Sequence, residues 1–562
     1  MNLLDTHLLS LVVFLPLVGA AVCAVLPPGE GGQHKAVALV ASLATFFVSL
    51  LLWTGFANPG AGRYAFEEKA DWARSLGTSY HLGLDGVALL LLLLTTFLSP
   101  IVIGSAWNFT QNKVKLFCIA LLVLETAMLG TLASLDLVLF YVFWEAMLIP
   151  MYLLIGIWGS ERRIYAAVKF FLFTFVGSVL MLLAIFYLWS QSGPAGARTF
   201  DYVQILANTS LAPAVQRWLF LAFALAFAIK VPIFPLHTWL PDAHTEAPAA
   251  GSILLAGVML KLGTFGFIRY AMPLFPAAAR EAAPFIALLG VIGIVYGSLM
   301  CMAQTDLKRL IAYTSVAHLG FVMVGLSALT AAAVSGAVLQ MVNHGVSTGA
   351  LFLVIGMLYE RTHTREMSAY GGLAKITPAL AAVFLVITLS SIGLPGTNGF
   401  VGEFLILIGT FTSAIRWAHA LAVVAATGVV LGAVYMLWMY QRVLLGPVTR
   451  AANRALKDLS PREWATLAPL LAAIVWIGVY PQPLLSAVKQ PVDAFISRVE
   501  TGGAEIRHAV PAFHLQRGAL LPAQPGGLRI QPRAVPLEPD SPVQRPFFPN
   551  RAPLARPSPT AP

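Results

Sequence analysis

Apolar residues occupy this chain in long blocks of about twenty, the length that carries an α-helix across a bilayer core. Short polar stretches separate the blocks. About fourteen of them fall near 8–26, 36–56, 85–107, 114–133, 136–158, 164–190, 217–248, 250–270, 284–303, 309–328, 333–359, 376–414, 417–445 and 464–486. The pattern predicts an all-α polytopic membrane protein. Two blocks are too long for one crossing and carry internal breakers: 217–248 has Pro232, Pro235 and Pro241, and 376–414 is interrupted by "SSIGLPGTNGF", which includes Pro395. Proline removes a backbone donor, so helices 7 and 12 are expected to be discontinuous within the membrane. Non-helical backbone at that depth is tolerated only against protein or water. Helices 7 and 12 stand five apart, an odd number, so they run in opposite directions. That spacing suggests two inverted five-helix repeats, helices 4–8 and 9–13, with the working site at the broken helices. The expected organisation is 1–110 for helices 1–3, 111–272 and 273–446 for the two repeats, 447–500 for a loop and helix 14, and 501–562 for a Pro/Arg-rich, disordered tail.

Composition agrees with the pattern. Hydrophobic residues make up 58% of the 562-residue chain and charged residues 11%, too little charge to coat a soluble protein. The net charge of +10 lies in loops and tail, where membrane topology puts it, and is no nucleic-acid signal. With Met1 outside, "NKVK" (112–115), "SERR" (160–163), "LKR" (307–309) and the loop 446–463 share one face. The positive-inside rule makes that face cytoplasmic and both termini periplasmic, in the inner membrane of a bacterium or an equivalent energy-converting membrane. The N-terminus has neither a basic n-region nor a small-residue cleavage site, so it is read as a retained first helix. Cys23, Cys118 and Cys301 have no ligand spacing and are read as small buried hydrophobes. The sequence carries no haem-ligating histidine pair, no phosphate-binding glycine loop and no Fe–S cysteine set, so no cofactor or metal is expected in this chain.

The remaining chemistry is ionisable. A charge at the bilayer centre costs about 2.5–3.5 kcal/mol on the insertion scale. The apolar runs nevertheless hold Glu125 and Glu145 in spans 4 and 5, Lys230 in span 7 and Lys261 in span 8. His318, His344 and Glu403 follow in spans 10, 11 and 12. Together they read as one buried polar line bridged by water. A Glu145–Lys230 pair by itself would only lock two helices, and a lone histidine on an apolar face is often a satisfied core residue. Carboxylate, ammonium and imidazole in series instead suit proton conduction, which needs no cofactor. Arg163 and Lys169, near a helix end, are expected to snorkel to the interface.

The segments "LDLVLFYVFWEAMLIPMYLLIGIWG" (135–159), "IKVPIFPLHTWLPDAHTEAPAAGSILLAGVMLKLG" (229–263), "AQTDLKRLIAYTSVAHLGF" (303–321) and "GLPGTNGFVGEF" (393–404) resemble the subunit M (chain 4) family of respiratory complex I, over roughly residues 1–490. The resemblance implies an antiporter-like subunit with fourteen helices, in the membrane arm of a proton-pumping NADH:quinone oxidoreductase. It implies a carboxylate at Glu145, its lysine partner at Lys230, a central lysine at Lys261, a relay at His318 and His344, and an exit site at Glu403. His237 and His244 match family positions without an assigned role. NADH, FMN, iron–sulfur clusters and quinone would belong to other subunits. The implied partners are the other membrane-arm subunits, among them the paralogous antiporter-like ones, and lipids. Subunits of multi-subunit sodium/proton antiporters and of membrane-bound hydrogenases share most of these motifs. A non-pumping structural membrane subunit is the alternative from another class.

Overall fold

In the computed structural model, residues 7–27, 31–57, 63–108, 111–194, 196–448 and 450–502 are described. They belong to one compact unit, while the expected disordered tail lies outside the described residues from 503 onward. Among the described residues, thirteen helices are long and apolar enough to cross a membrane. They are α1 (Leu8–Val25), α2 (Gly32–Thr54), α3 (Gly86–Ser105), α4 (Val114–Ala133), α5 (Leu137–Trp158), α6 (Arg163–Gln191), α7a (Pro213–Lys230), α8 (Ala249–Leu274), α9 (Pro276–Met302), α10 (Leu307–Ser327), α11 (Ala331–Thr362), α13 (Ala418–Leu444) and α14 (Pro461–Val479). Two shorter apolar helices, α12a (Pro378–Ser391) and α12b (Asn398–Phe411), make a fourteenth crossing between them. α8, α10 and α11 are buried along nearly their whole length. The interior of the bundle therefore forms around the helices that carry Lys261, His318 and His344.

Both predicted breaks are present, and their chemistry is local. α7a stops at Lys230 and α7b (Trp239–Glu246) resumes beyond it. The prolines at 232 and 235 cannot donate to the preceding turn. The Trp239 indole donates to the carbonyl of Ile229 at 2.9 Å, satisfying one acceptor that the break leaves free. Lys230 stands in the last turn of α7a, the negative end of that half-helix, which favours an ammonium. Between α12a and α12b the chain turns through Gly393 at φ +75° and Gly396 at φ +89°. Only glycine adopts such angles without strain, so the "GLPG" segment breaks the helix twice over.

Polar side chains fix where the crossings begin. Asp85, Asp136 and Asp306 accept from the first free amides of α3, α5 and α10, and Thr330 does so for α11. Ser460 and Glu463 form a reciprocal capping box on α14. At the C-terminal end of α11, Arg361 clasps Glu463 with two bonds, of 2.6 and 2.8 Å.

Two elements depart from the sequence reading. The loop before α3 folds as an antiparallel hairpin, β1 (Ala65–Ala73) with β2 (Thr78–Leu84). α14 ends at Val479, short of the expected 486, and a separate amphipathic helix, α15 (Gln482–Thr501), follows it. The hairpin is pinned to the rest of the chain through the buried Asp201 and braced across its own strands by Glu67. His81 Nδ1 lies 2.8 Å from Asp201, His81 Nε2 lies 2.9 Å from Glu67, and Lys69 reaches Asp201 at 2.5 Å. The backbone adds Leu135 N–H to the carbonyl of His81 and Phe200 N–H to that of Gly77.

Candidate functional site

Lys261 sits in α8 between two widened π-helical turns, Leu255–Met259 and Phe267–Ala271. Such turns inside α-helices recur at functional positions. Lys261 is 1% exposed. Its ammonium donates to the carbonyl of Ala256 and lies 2.6 Å from Nδ1 of His344 on α11. The His344 ring faces that of His318 on α10, with centroids 5.7 Å apart. His318 Nδ1 is 3.0 Å from Oε1 of Glu403 on α12b. Four ionisable residues from four helices thus stand in a row in the order Lys261, His344, His318, Glu403, at hydrogen-bond distance at either end and in ring contact between the two histidines. The two histidines stand in the reverse of their sequence order. Glycines bring the helices close enough for this. A Cβ at Gly402, beside Glu403, would lie 2.4 Å from the Gln340 side-chain oxygen.

Neutral polar groups that the sequence reading passed over line the same row. The Gln340 amide donates to Glu403 at 3.1 Å. Asn343 donates to the carbonyl of Asn398 at 2.7 Å, at the start of α12b, and Ser390 donates to the Asn398 side chain at 2.5 Å. The first two bonds tie α12b to α11, and the third closes the α12 break on itself. No simple sequence signal marks such residues, because one amide or hydroxyl in an apolar helix is inexpensive compared with a charge.

The other predicted residues stand apart from the row. Lys230 is 1% exposed and its ammonium has no hydrogen-bond partner. It lies over the rings of Trp144 and Phe170, 5.0 and 5.9 Å from their centroids. Glu145 is an electrostatic neighbour of Lys230 but makes no ion pair with it. Its other polar neighbours are Ser178 and Tyr141. It is half-buried rather than fully enclosed. Glu125 is 1% exposed and neither of its oxygens has a partner. His237 packs among Phe234, Tyr296 and Tyr313, with ring centroids 5.1 to 6.4 Å away. His244 stacks on Phe352 at 4.7 Å with both ring nitrogens unpartnered. It lies within electrostatic reach of Lys261, His344 and Lys308.

Lys308 is itself a residue the sequence reading missed. It belongs to the basic "LKR" group, yet it is 7% exposed and its ammonium donates to the carbonyl of Ala247. Arg269 was missed too, pairing in the interior with Asp85 at 2.8 Å between the rings of Tyr64 and Phe265. Lys169, expected to snorkel, instead binds Asp242 on α7b at 2.7 Å, because the second half of the broken helix brings that carboxylate beside it. Among the described residues no group of three His, Cys, Asp or Glu has a metal-holding arrangement.

Residues 134–432 match the family described as NADH:quinone oxidoreductase/Mrp antiporter, transmembrane. With the fold and the buried row, this defines an antiporter-like membrane subunit. NADH-quinone oxidoreductase subunit M of Rhodobacter capsulatus is 46% identical, over 92% of this chain and 99% of that protein. A chain of respiratory complex I from Thermus thermophilus superposes with a TM-score of 0.79 at 34% identity, covering 87% of this chain and 99% of that one. A chain of the Mrp complex from Dietzia sp. DQ12-45-1b shares the fold, with a TM-score of 0.75 at 21% identity, over 91% of this chain and 57% of that one. The chain belongs to the subunit M family of NADH-quinone oxidoreductase, and it is therefore a membrane subunit of an enzyme, respiratory complex I.

Proposed function

We propose that this subunit carries protons across the membrane through the row Lys261–His344–His318–Glu403, driven by redox chemistry in other subunits of the complex. The observation that carries the reading is the row itself: four proton-exchanging groups in sequence, each from a different helix, enclosed in the most buried part of the bundle. An ammonium at Lys261 donates to Nδ1 of His344, which places the transferable hydrogen of His344 on Nε2. That nitrogen is buried without a protein partner, so water is its natural acceptor toward His318. An imidazolium at His318 then gives its Nδ1 proton to the Glu403 carboxylate. The tautomers follow from this hydrogen-bond arrangement, and such coupled groups titrate as a set.

Lys230 is the loading site in this scheme. Burial disfavours its charge and an approaching carboxylate restores it, so movement of Glu145 toward or away from Lys230 sets its proton affinity. The chain segment Val231–Thr238, freed by Pro232 and Pro235, gives room for that movement and for water between Lys230 and Lys261. The break at Pro395 plays the matching part beside Glu403. The two discontinuous helices then belong to inverted repeats, helices 4–8 and 9–13, in which each repeat supplies one half of the path. Glu125 and His237 flank the path, and His244 joins Lys261 to the basic-loop side. That side faces the cytoplasm of a bacterial inner membrane, and the flanks of the bundle meet the paralogous antiporter-like subunits of the membrane arm.

Replacing Lys230 or Glu145 with Ala tests the loading step. The complex is expected to assemble, with pumping and linked NADH oxidation sharply reduced in proteoliposomes. Normal proton stoichiometry in an assembled Lys230→Ala complex contradicts the scheme.

A further inference from the structure

Two apolar clefts open on the outer surface of the bundle, similar in size and different in chemistry. One, of about 590 Å³, lies between α9 and α13 and is lined by Val291, Ile292 and Trp417, with no charged residue. The other, of about 500 Å³, lies between α2, α3 and α14 and is lined by Leu43, Phe46, Phe97, Trp107 and Pro469, with Arg462 at one end.

The second cleft is ordered along the membrane normal. Arg462 and Trp107 stand at the basic-loop end of α14 and α3, while Phe97 lies ten residues back along α3. At 1.5 Å per residue that is a depth of about 15 Å, half of a bilayer core of roughly 30 Å. The cleft is therefore as deep as one leaflet. Its charges sit only at the head-group end, with a tryptophan of the kind that favours that level. Arg462 Nη1 is buried without a hydrogen-bond partner, and Nη2 reaches Glu360 only at 3.9 Å. Glu463, the other nearby carboxylate, is held by Arg361. Lys35 lies within electrostatic reach of Arg462 and spends one donor on the Trp107 carbonyl at 2.6 Å. Three cations, Arg462, Lys35 and Arg361, thus face two anions, Glu360 and Glu463, leaving one positive charge without a counterion.

We infer that this cleft holds one phospholipid with an anionic head group, its acyl chain against Leu43, Phe46 and Phe97 and its phosphate at Arg462. The surplus charge selects the head group and the leaflet-deep apolar wall receives the chain. The α9–α13 cleft has the wall without the charge, and it shows no head-group preference. This site is independent of the proton path.

The test uses the whole purified complex exchanged into nanodiscs of phosphatidylcholine mixed with phosphatidylglycerol, then extracted with mild detergent, with retained lipids counted by mass spectrometry. Wild type is expected to retain one phosphatidylglycerol that Arg462→Gln binds about five-fold more weakly, the value of one basic residue at an anionic lipid surface. Leu43→Trp, which fills the cleft, is expected to lose that lipid, while Ile292→Trp in the uncharged cleft keeps it. Should Leu43→Trp fail to assemble, Arg462→Gln decides alone. Equal phosphatidylglycerol retention by Arg462→Gln and wild type overturns the site. So does equal preference for phosphatidylcholine, or a protein helix occupying the cleft in a density map of the complex.

Discussion

His318 is the residue at which the proposed path is narrowest, because it alone links the His344 ring to the Glu403 carboxylate. His318→Gln keeps a polar side chain of similar reach but cannot accept and release a proton. A positioned acid–base group contributes on the order of 100-fold, and pumping-linked turnover of the variant is expected to fall by about that factor, measured as coupled NADH oxidation. Gln340→Leu removes only a neutral donor to Glu403 and should cost far less. The ionisable members of the row were legible in the sequence because a charge inside an apolar run is costly and therefore conspicuous. Gln340, Asn343 and Asn398 were not, since a neutral amide in a helix raises no such alarm. Lys308 was hidden differently. Its neighbours Asp306 and Arg309 made it look like part of a surface loop, and only the packing of α10 against the α7b–α8 turn buries it.

At the scale of elements, the two breaks were readable from proline and glycine, because their backbone constraints act locally. Gly393→Ala tests how far the α12 break depends on them. Its φ of +75° costs an alanine about 1–2 kcal/mol, and the new Cβ would sit 3.1 Å from Oε2 of Glu403. The variant is expected to lower the thermal stability of the complex and to weaken coupling together. The hairpin was invisible because "AFEEKADWA" alternates poorly and carries several charges. α15 was invisible because its apolar face merges with the end of α14 in a hydropathy reading.

The hairpin's anchor gives a pH dependence outside the membrane. Burial opposes a charge on His81, but its hydrogen bonds to Asp201 and Glu67 outweigh this and raise its pKa. Burial likewise opposes ionisation of Asp201, yet His81 and Lys69 pull its pKa down to about 2. The raised histidine stabilises the anchor below its unfolded pKa of about 6.5, and that contribution is lost as pH rises through the folded value. The depressed aspartate stabilises it above about 3.9, and that contribution is lost as pH falls toward 2. Protection of the Leu135 and Phe200 amides, measured by hydrogen exchange corrected for intrinsic rate, should therefore decline on the alkaline side. His81→Asn should abolish that decline. An unchanged profile in the variant would remove His81 from the anchor.

For the molecule as a whole, the fourteen crossings were legible because bilayer thickness fixes block length, and the subunit M resemblance was legible in motifs that surround the buried charges. The spatial order of the row was not, because only the packing of α8, α10, α11 and α12b places His344 before His318. In the proposed function this row carries protons rather than holding helices together. Lys261→Met separates the two when assembly is measured alongside pumping, since it keeps the side chain's length and apolar packing and removes the ammonium, with its bonds to Ala256 and His344. The decisive measurement is the number of protons translocated per NADH oxidised by the assembled Lys261→Met complex in sealed proteoliposomes. The variant complex is expected to assemble at wild-type level and to lose most coupled turnover and pumping. Wild-type turnover with wild-type stoichiometry would contradict the proposed function.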